Sequence, residues 1–411
     1  MKKVLIGMVV LATQLAVAAQ DVRLAGSANN DFGFALFKNT KTRTDKGNKF
    51  LSPVSAYLAL SMLYNGAKGQ TLAEIQNVLN FGKLSRDRVN LLNHDFIHSL
   101  TANKEYTLNI ANSLWVKDDF KLNRDFEDNV KEAYHASAAR LNFTSPLAVQ
   151  TINDWVKKAT YDTEEKKSLI DEILKEIPAE AVLYLINATY FNADWADQFK
   201  SGETWMRDFN VTPKKKVKVP TMSQHGHFKV VVDRGARTIE LPYKGDKASM
   251  IVIVPEGGNT PDSIAASLTD ANWKSLTDRL DKAKSDQYEI TLPKLELKYE
   301  DLLNESLKAQ GMPSAFNDKA DLTGISDTKD GHLRVSKVKQ KTFLQVDEKG
   351  TKAAAVTSIE VVLESAILIQ NRFDVDKPYL LAIRDKATNA VLFLGSIQEP
   401  EGGKLTPRGQ K

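Results

Sequence analysis

With 411 residues, 42% of them hydrophobic and 26% charged, the chain has an ordinary globular composition and enough apolar material for a substantial core. Its formal net charge of +4 is too small to suggest a nucleic-acid partner, and the absence of cysteine excludes disulfides, thiolate nucleophiles and cysteine metal sites. No internal repeat and no Pro/Gly/Ser-rich linker divides the interior, so a single large domain is expected.

Met1-Lys2-Lys3 and the apolar run Val4 to Ala19, ending Ala-Val-Ala-Ala, have the charged, apolar and small-residue regions of a secretory signal peptide over residues 1–19. The run is short for a membrane span and offers no cysteine for lipid attachment; a buried N-terminal helix is the alternative. Removal of Lys2 and Lys3 lowers the charge from +4 to +2. A secreted chain without cysteine points to a bacterial source, with an extracellular product, or a periplasmic one in a Gram-negative cell.

Asn30 to Phe37 begins an amphipathic helix. Ser52 is placed to cap a second, with Leu58, Met62 and Leu63 on its apolar face. Thr71 with Glu74 reads as a capping box opening a third helix through Leu79. Tyr106 to Val116 alternates as a strand, and Val149, Ile152, Trp155 and Val156 form a helical stripe. Ala181 to Phe191 is nearly continuous in apolar residues, which implies a strand buried on both faces. Helices dominate early and strands late, so the class is α+β.

From Val335 to Glu348 the chain alternates again, with Ser336, Val338, Gln340, Thr342, Leu344 and Val346 on one face and Lys337, Lys339 and Lys341 on the other. The lysines are expected in solvent, which turns Gln340 inward. Next comes the most informative stretch, Glu348 to Ser365. Thr351, Ala353, Ala355, Thr357, Ile359 and Val361 are small or apolar; the interleaved Lys352, Ala354, Val356, Ser358, Glu360 and Val362 carry the charges. That is a strand pattern running into a segment with loop character, from Leu363 to Asp376, and a segment able to be either is a candidate switch. The tail 401–411 has no core-forming period and is expected to be disordered.

Competing motifs are weak. His94 and His98 stand at i and i+4, yet Asp95 replaces the glutamate that a zinc protease needs and no third ligand follows, so a surface helix fits better. Lys214 to Lys218 alternates with valines as a strand face. No nucleophile elbow, phosphate loop or dinucleotide fingerprint occurs.

Glu348 to Thr357 resembles the hinge of the reactive-centre loop of inhibitory serpins. Ser52-Pro-Val-Ser, Asn65 to Thr71, Asn187 to Trp195, Ala320 to Ser326, Phe373 to Ile383 and Leu392 to Gly395 are similar to serpin segments and follow in serpin order. The resemblance implies a serpin domain over residues 27–400, with three β-sheets, eight to nine helices and an exposed loop at about 348–373. It implies a secreted monomer that catalyses nothing and needs no metal or cofactor. Such a protein traps serine proteases covalently, by inserting its cleaved loop into the main sheet. Glu348, Gly350, Thr351, Ala353, Ala354, Ala355 and Thr357 would form the hinge. Ser52, Ser55, Asn187 and Gln340 would form a polar cluster beneath the sheet, with Gln340 where serpins commonly carry histidine. Trp195 matches the tryptophan beside the point where a serpin loop enters its sheet. Family spacing from Glu348 puts the scissile bond at Glu364-Ser365, with Leu363 as the alternative specificity residue. Elastase-like, subtilisin-like or glutamyl-specific proteases are then the expected targets. A serpin-fold carrier or chaperone that does not inhibit is the rival reading.

Overall fold

The computed structural model describes residues 2–163, 166–327, 332–351 and 371–405, with side chains from Gln20 onward. Nine α-helices among these residues surround a six-stranded sheet and a nine-stranded one, and a two-stranded hairpin, Tyr161–Asp162 with Lys167–Ser168, stands apart. The nine-stranded assembly is two sheets sharing the long strand Lys215–Asp233. One end of that strand pairs with Thr204–Thr212 and Asp286–Pro293, the other with Ala236–Pro242.

Every residue of the helix Pro53–Gly66 is buried, because its sequence is apolar or small all round and it runs through the core between the sheets. The first helix extends from Lys2 to Asn39, far beyond the stretch Asn30 to Phe37. Among the described residues no helix is long and apolar enough to cross a membrane. Ser52 does occupy the N-cap of Pro53–Gly66, but its side chain caps nothing and its hydroxyl donates to the Leu392 carbonyl at 2.9 Å. The capping box at Thr71 and Glu74 does not form either. The helix starts earlier, at Gly69, so Thr71 accepts from the Asp321 N–H, and Glu74 accepts from the Ser314 N–H and hydroxyl. Both residues join separate segments instead of closing a helix end.

The first residue of the expected tail contacts the body of the fold. The Glu401 carbonyl accepts from the Glu296 N–H at 2.8 Å, and its carboxylate accepts from Thr44 and Asn48, so Glu401 is tied to the body.

The six-stranded sheet positions the site. Its order is Leu295–Leu302, Lys337–Val346, Gly350–Thr351, Leu183–Asp194, Thr107–Lys117, Ser137–Leu141. Leu183–Asp194 is buried from Leu183 through Phe191, as the continuous apolar run requires. One face of it covers the central helix. The other, with Tyr184, Ile186, Ala188 and Tyr190, packs against Ile152 and Val156 of the helix Ala148–Ala159.

Candidate functional site

Lys337–Val346 runs parallel to Leu183–Asp194 and pairs with it directly from Lys337 opposite Tyr184 to Phe343 opposite Tyr190. Beyond that seam the two strands part. The chain turns back after Val346 and places Gly350 opposite Asp194, with Thr351 opposite both Ala193 and Val346. Gly350 and Thr351, two of the expected hinge residues, thus stand between the two strands as a two-residue wedge. In the turn, the Asp347 carboxylate accepts from the Lys349 N–H at 2.9 Å, and the Asp347 N–H donates to the Gly350 carbonyl at 3.0 Å. Glycine at 350 serves close approach and not an unusual dihedral: a Cβ there would lie 2.1 Å from the Ala193 carbonyl oxygen.

The wedge is anchored at its mouth. Glu348 accepts from the Lys294 ammonium at 2.7 Å and from the Thr204 hydroxyl at 2.7 Å, with the Lys294 and Glu348 side chains only 10% and 9% exposed. Burial pushes the Glu348 carboxyl up, but the hydrogen bonds from Lys294 and Thr204 overcome this and hold it below the usual glutamate value. The indole N–H of Trp195 donates to the Asp347 carbonyl at 2.9 Å, and its backbone N–H to the Lys349 carbonyl at 2.8 Å. The Trp195 ring lies flat on Tyr243, with centroids 4.7 Å apart and planes 6° from parallel. The Tyr243 hydroxyl in turn hydrogen-bonds the Thr351 hydroxyl, which is fully buried. One continuous contact therefore joins Trp195, Tyr243 and the inward face of the hinge.

Below the wedge, three amides line up across three adjacent strands. Gln340 is opposite Asn187, which is opposite Asn112. Gln340 Nε2 donates to Asn187 Oδ1 at 2.7 Å and to the Ser52 carbonyl at 3.0 Å, while its Oε1 accepts from the Ser52 N–H at 3.0 Å. Asn187 Nδ2 donates to Ser55 Oγ and Asn112 Oδ1, and Asn112 Nδ2 reaches the Ser55 carbonyl at 3.3 Å. Both N–H donors and the carbonyl oxygen of the Gln340 amide are engaged, so a glutamine completes this cluster. The lysines on the opposite face are less solvated than their alternation suggests. Lys339 and Lys341 are 17% and 22% exposed, and both pair with Glu300 of the neighbouring strand.

The structure thus brings together Ser52, Ser55, Asn187 and Gln340 as one cluster and Glu348, Gly350, Thr351 and Trp195 as another, at two levels of the same seam. Ala353, Ala354, Ala355, Thr357, Leu363, Glu364 and Ser365 lie outside the described residues. Sequence reasoning missed Asn112, Tyr243, Lys294 and Thr204. An asparagine amid the buried positions of a strand was the available signal for Asn112. Nothing local marks the other three, because they become hinge contacts only through the sheet packing.

A family model described as serpin (serine protease inhibitor) matches residues 27–400. The chain is 32% identical to the leukocyte elastase inhibitor of Xenopus laevis over 91% of its own length and 99% of that protein. Among solved structures it is similar to the thermophilic serpin tengpin in the native state, with a TM-score of 0.82, 32% identity, and coverage of 91% of this chain and 93% of that one. It is also similar to human thyroxine-binding globulin, with a TM-score of 0.81, 26% identity, and coverage of 93% and 100%.

Proposed function

We propose that this chain, which belongs to the serpin family, inhibits serine proteases as a suicide substrate. The protease serine attacks the Glu364 carbonyl, the Glu364-Ser365 bond breaks, and the new Ser365 amine leaves with the C-terminal peptide while residues up to Glu364 stay esterified to the enzyme. The freed strand then zips into the main sheet behind Thr351 and carries the acyl-enzyme away from its working geometry. Leu363 is the alternative specificity residue. Thr351 to Glu364 as a strand spans on the order of 45 Å, enough to cross a large sheet. The chain contributes no catalytic group; the work comes from free energy stored in the uncut fold.

The observation that carries this reading is the wedge: Thr351 is paired on both sides, and Gly350 on one, between the strands that must part. The similarity to an elastase inhibitor, with Val361, Val362 and Leu363 in the loop, favours elastase-like targets, and Glu364 adds glutamyl-specific ones. The carrier reading draws on the likeness to thyroxine-binding globulin. Small inward residues from Gly350 to Thr357, with Lys352 the one charge in that stretch and on the outward set, favour inhibition. Residues 1–19 act as a secretory leader in this account, and the product works outside the cytoplasm as a monomer.

A protease panel followed by denaturing gel electrophoresis tests the proposal. A gel-stable complex with an elastase-like, subtilisin-like or glutamyl-specific enzyme supports it; clean cleavage without complex across all serine-protease classes favours the carrier.

A further inference from the structure

At the end of the seam farthest from the hinge lies a cavity of about 250 Å³, lined among others by Tyr184, Lys337, Val335, Phe316 and Glu180. Tyr184 is fully buried, with its ring edge-on to Phe143 at 5.5 Å, and its hydroxyl has no hydrogen-bond partner among the described residues. A buried hydroxyl left in this state is costly and calls for an explanation. The Lys337 ammonium stands 5.7 Å from the Tyr184 ring centre. No ion pair to Lys337 occurs among the described residues, whereas the neighbouring cations Lys308 and Arg334 face Glu305 and Asp318. The site holds an orphan donor and an ammonium lacking a carboxylate.

The register already set by the hinge identifies what arrives there. Thr351 stands opposite Ala193 and Val346, and the new strand would run antiparallel to both neighbours. Each step forward from 351 is a step back from 193 and from 346, so residue 360 falls opposite 184 and 337 at once. Tyr184 and Lys337 are themselves a directly opposed pair in the seam, so both registers converge on one point without a bulge. The residue at 360 is glutamate. Its parity also fits. Thr351 points inward to Tyr243, so position 360 faces the other side of the sheet, the side on which Tyr184 packs with Ile152 and Val156.

We infer that Tyr184 and Lys337 form a dock for Glu360 of this chain's own loop, completed when the seam between them opens and the strand has inserted to its full length. The inference rests on the loop-insertion reading of the previous section. A carboxylate at that point accepts from the tyrosine hydroxyl and pairs with the lysine, satisfying both groups in one step. The uncut form carries the unpaired hydroxyl as a cost that insertion removes, so the dock adds driving force to the last turn of the zipper. Glu180 on the rim opposes a second carboxylate, which Lys337 offsets.

Thermal unfolding of the full chain before and after loop cleavage tests the dock, with the cut mapped by mass spectrometry to a site beyond residue 360. Glu360→Ala and Lys337→Met should each lower the midpoint of the cleaved form by about 2–4 °C and leave the uncut form unchanged, and the double variant should lose no more than the larger single. Tyr184→Phe should move the two forms in opposite directions, raising the uncut midpoint and lowering the cleaved one. Failures of the two claims separate cleanly. If cleavage does not raise the wild-type midpoint, loop insertion itself is wrong and the dock falls with it. If the wild type gains and Glu360→Ala gains equally, or the two single losses add, insertion stands and the Glu360 dock is overturned.

Discussion

Gln340 and Asn187 are bonded to one another, Nε2 to Oδ1 at 2.7 Å, across the pair of strands that must separate for a loop to enter. Insertion therefore has to break this bond and the seam around it. The same amide also holds Ser52 through both its N–H and its carbonyl. In the proposed mechanism the cluster acts as a latch between the central helix and the sheet, and its strength sets part of the barrier that keeps the uncut fold trapped.

Gln340→Ala removes three partners at once, from the Ser52 N–H, the Ser52 carbonyl and Asn187 Oδ1. The uncut form should lose about 2–4 kcal/mol of stability and convert faster, on warming, to an inactive form with the loop inserted uncut. Thermal unfolding and the decay of inhibitory activity near the midpoint measure both effects. An unchanged midpoint would show that the cluster does not latch the sheet.

Thr351→Arg should turn the inhibitor into a substrate. The position is already fully buried against Tyr243 in the uncut fold, so an unpartnered guanidinium there would be driven out of the sheet and take the wedge from which insertion continues with it. Cleavage should continue at an undiminished rate while the stable complex drops at least tenfold. Undiminished inhibition would count against insertion through this wedge.

The Lys294–Glu348 pair gives the hinge a pH dependence of known sign. Because the Glu348 carboxyl is held below its usual value in the fold, its contribution is fully present above the unfolded value of about 4.3 and is lost as the pH falls through the lower folded one. Burial, with a smaller contribution from the Glu348 charge, raises the neighbouring Asp347 carboxyl, an effect of opposite sign, so Glu348 and Glu348→Gln are compared in an Asp347→Asn background, where it is absent. The stability gap between those two should stay constant from pH 8 to about 5 and close below about 4. A gap that vanishes near neutrality would contradict the assignment.

The fold and the lower half of the site were legible because they follow from local alternation. Continuous apolar residues from Ala181 to Phe191 announce a strand covered on both faces, and the Val338–Gln340–Thr342 period turns Gln340 inward. Ser52 shows the limit of that reading. Its position before Pro53 marks a helix start, yet the hydroxyl goes to Leu392, on a strand 340 residues away in sequence. The same holds for Thr71 and Glu74, whose capping pattern was overridden by contacts to segments near 314 and 321. Tyr243 and Lys294 become hinge residues only because separate strands end beside residues 348–351, and no local pattern carries that information.

The intact mass of the denatured mixture after incubation with an elastase-like protease tests the central claim most directly. The account predicts a covalent species whose mass equals the protease plus the chain without the peptide that begins at Ser365, together with that free peptide. Only unmodified protease beside the two fragments of a cut chain, with the loop severed and nothing attached, would contradict it.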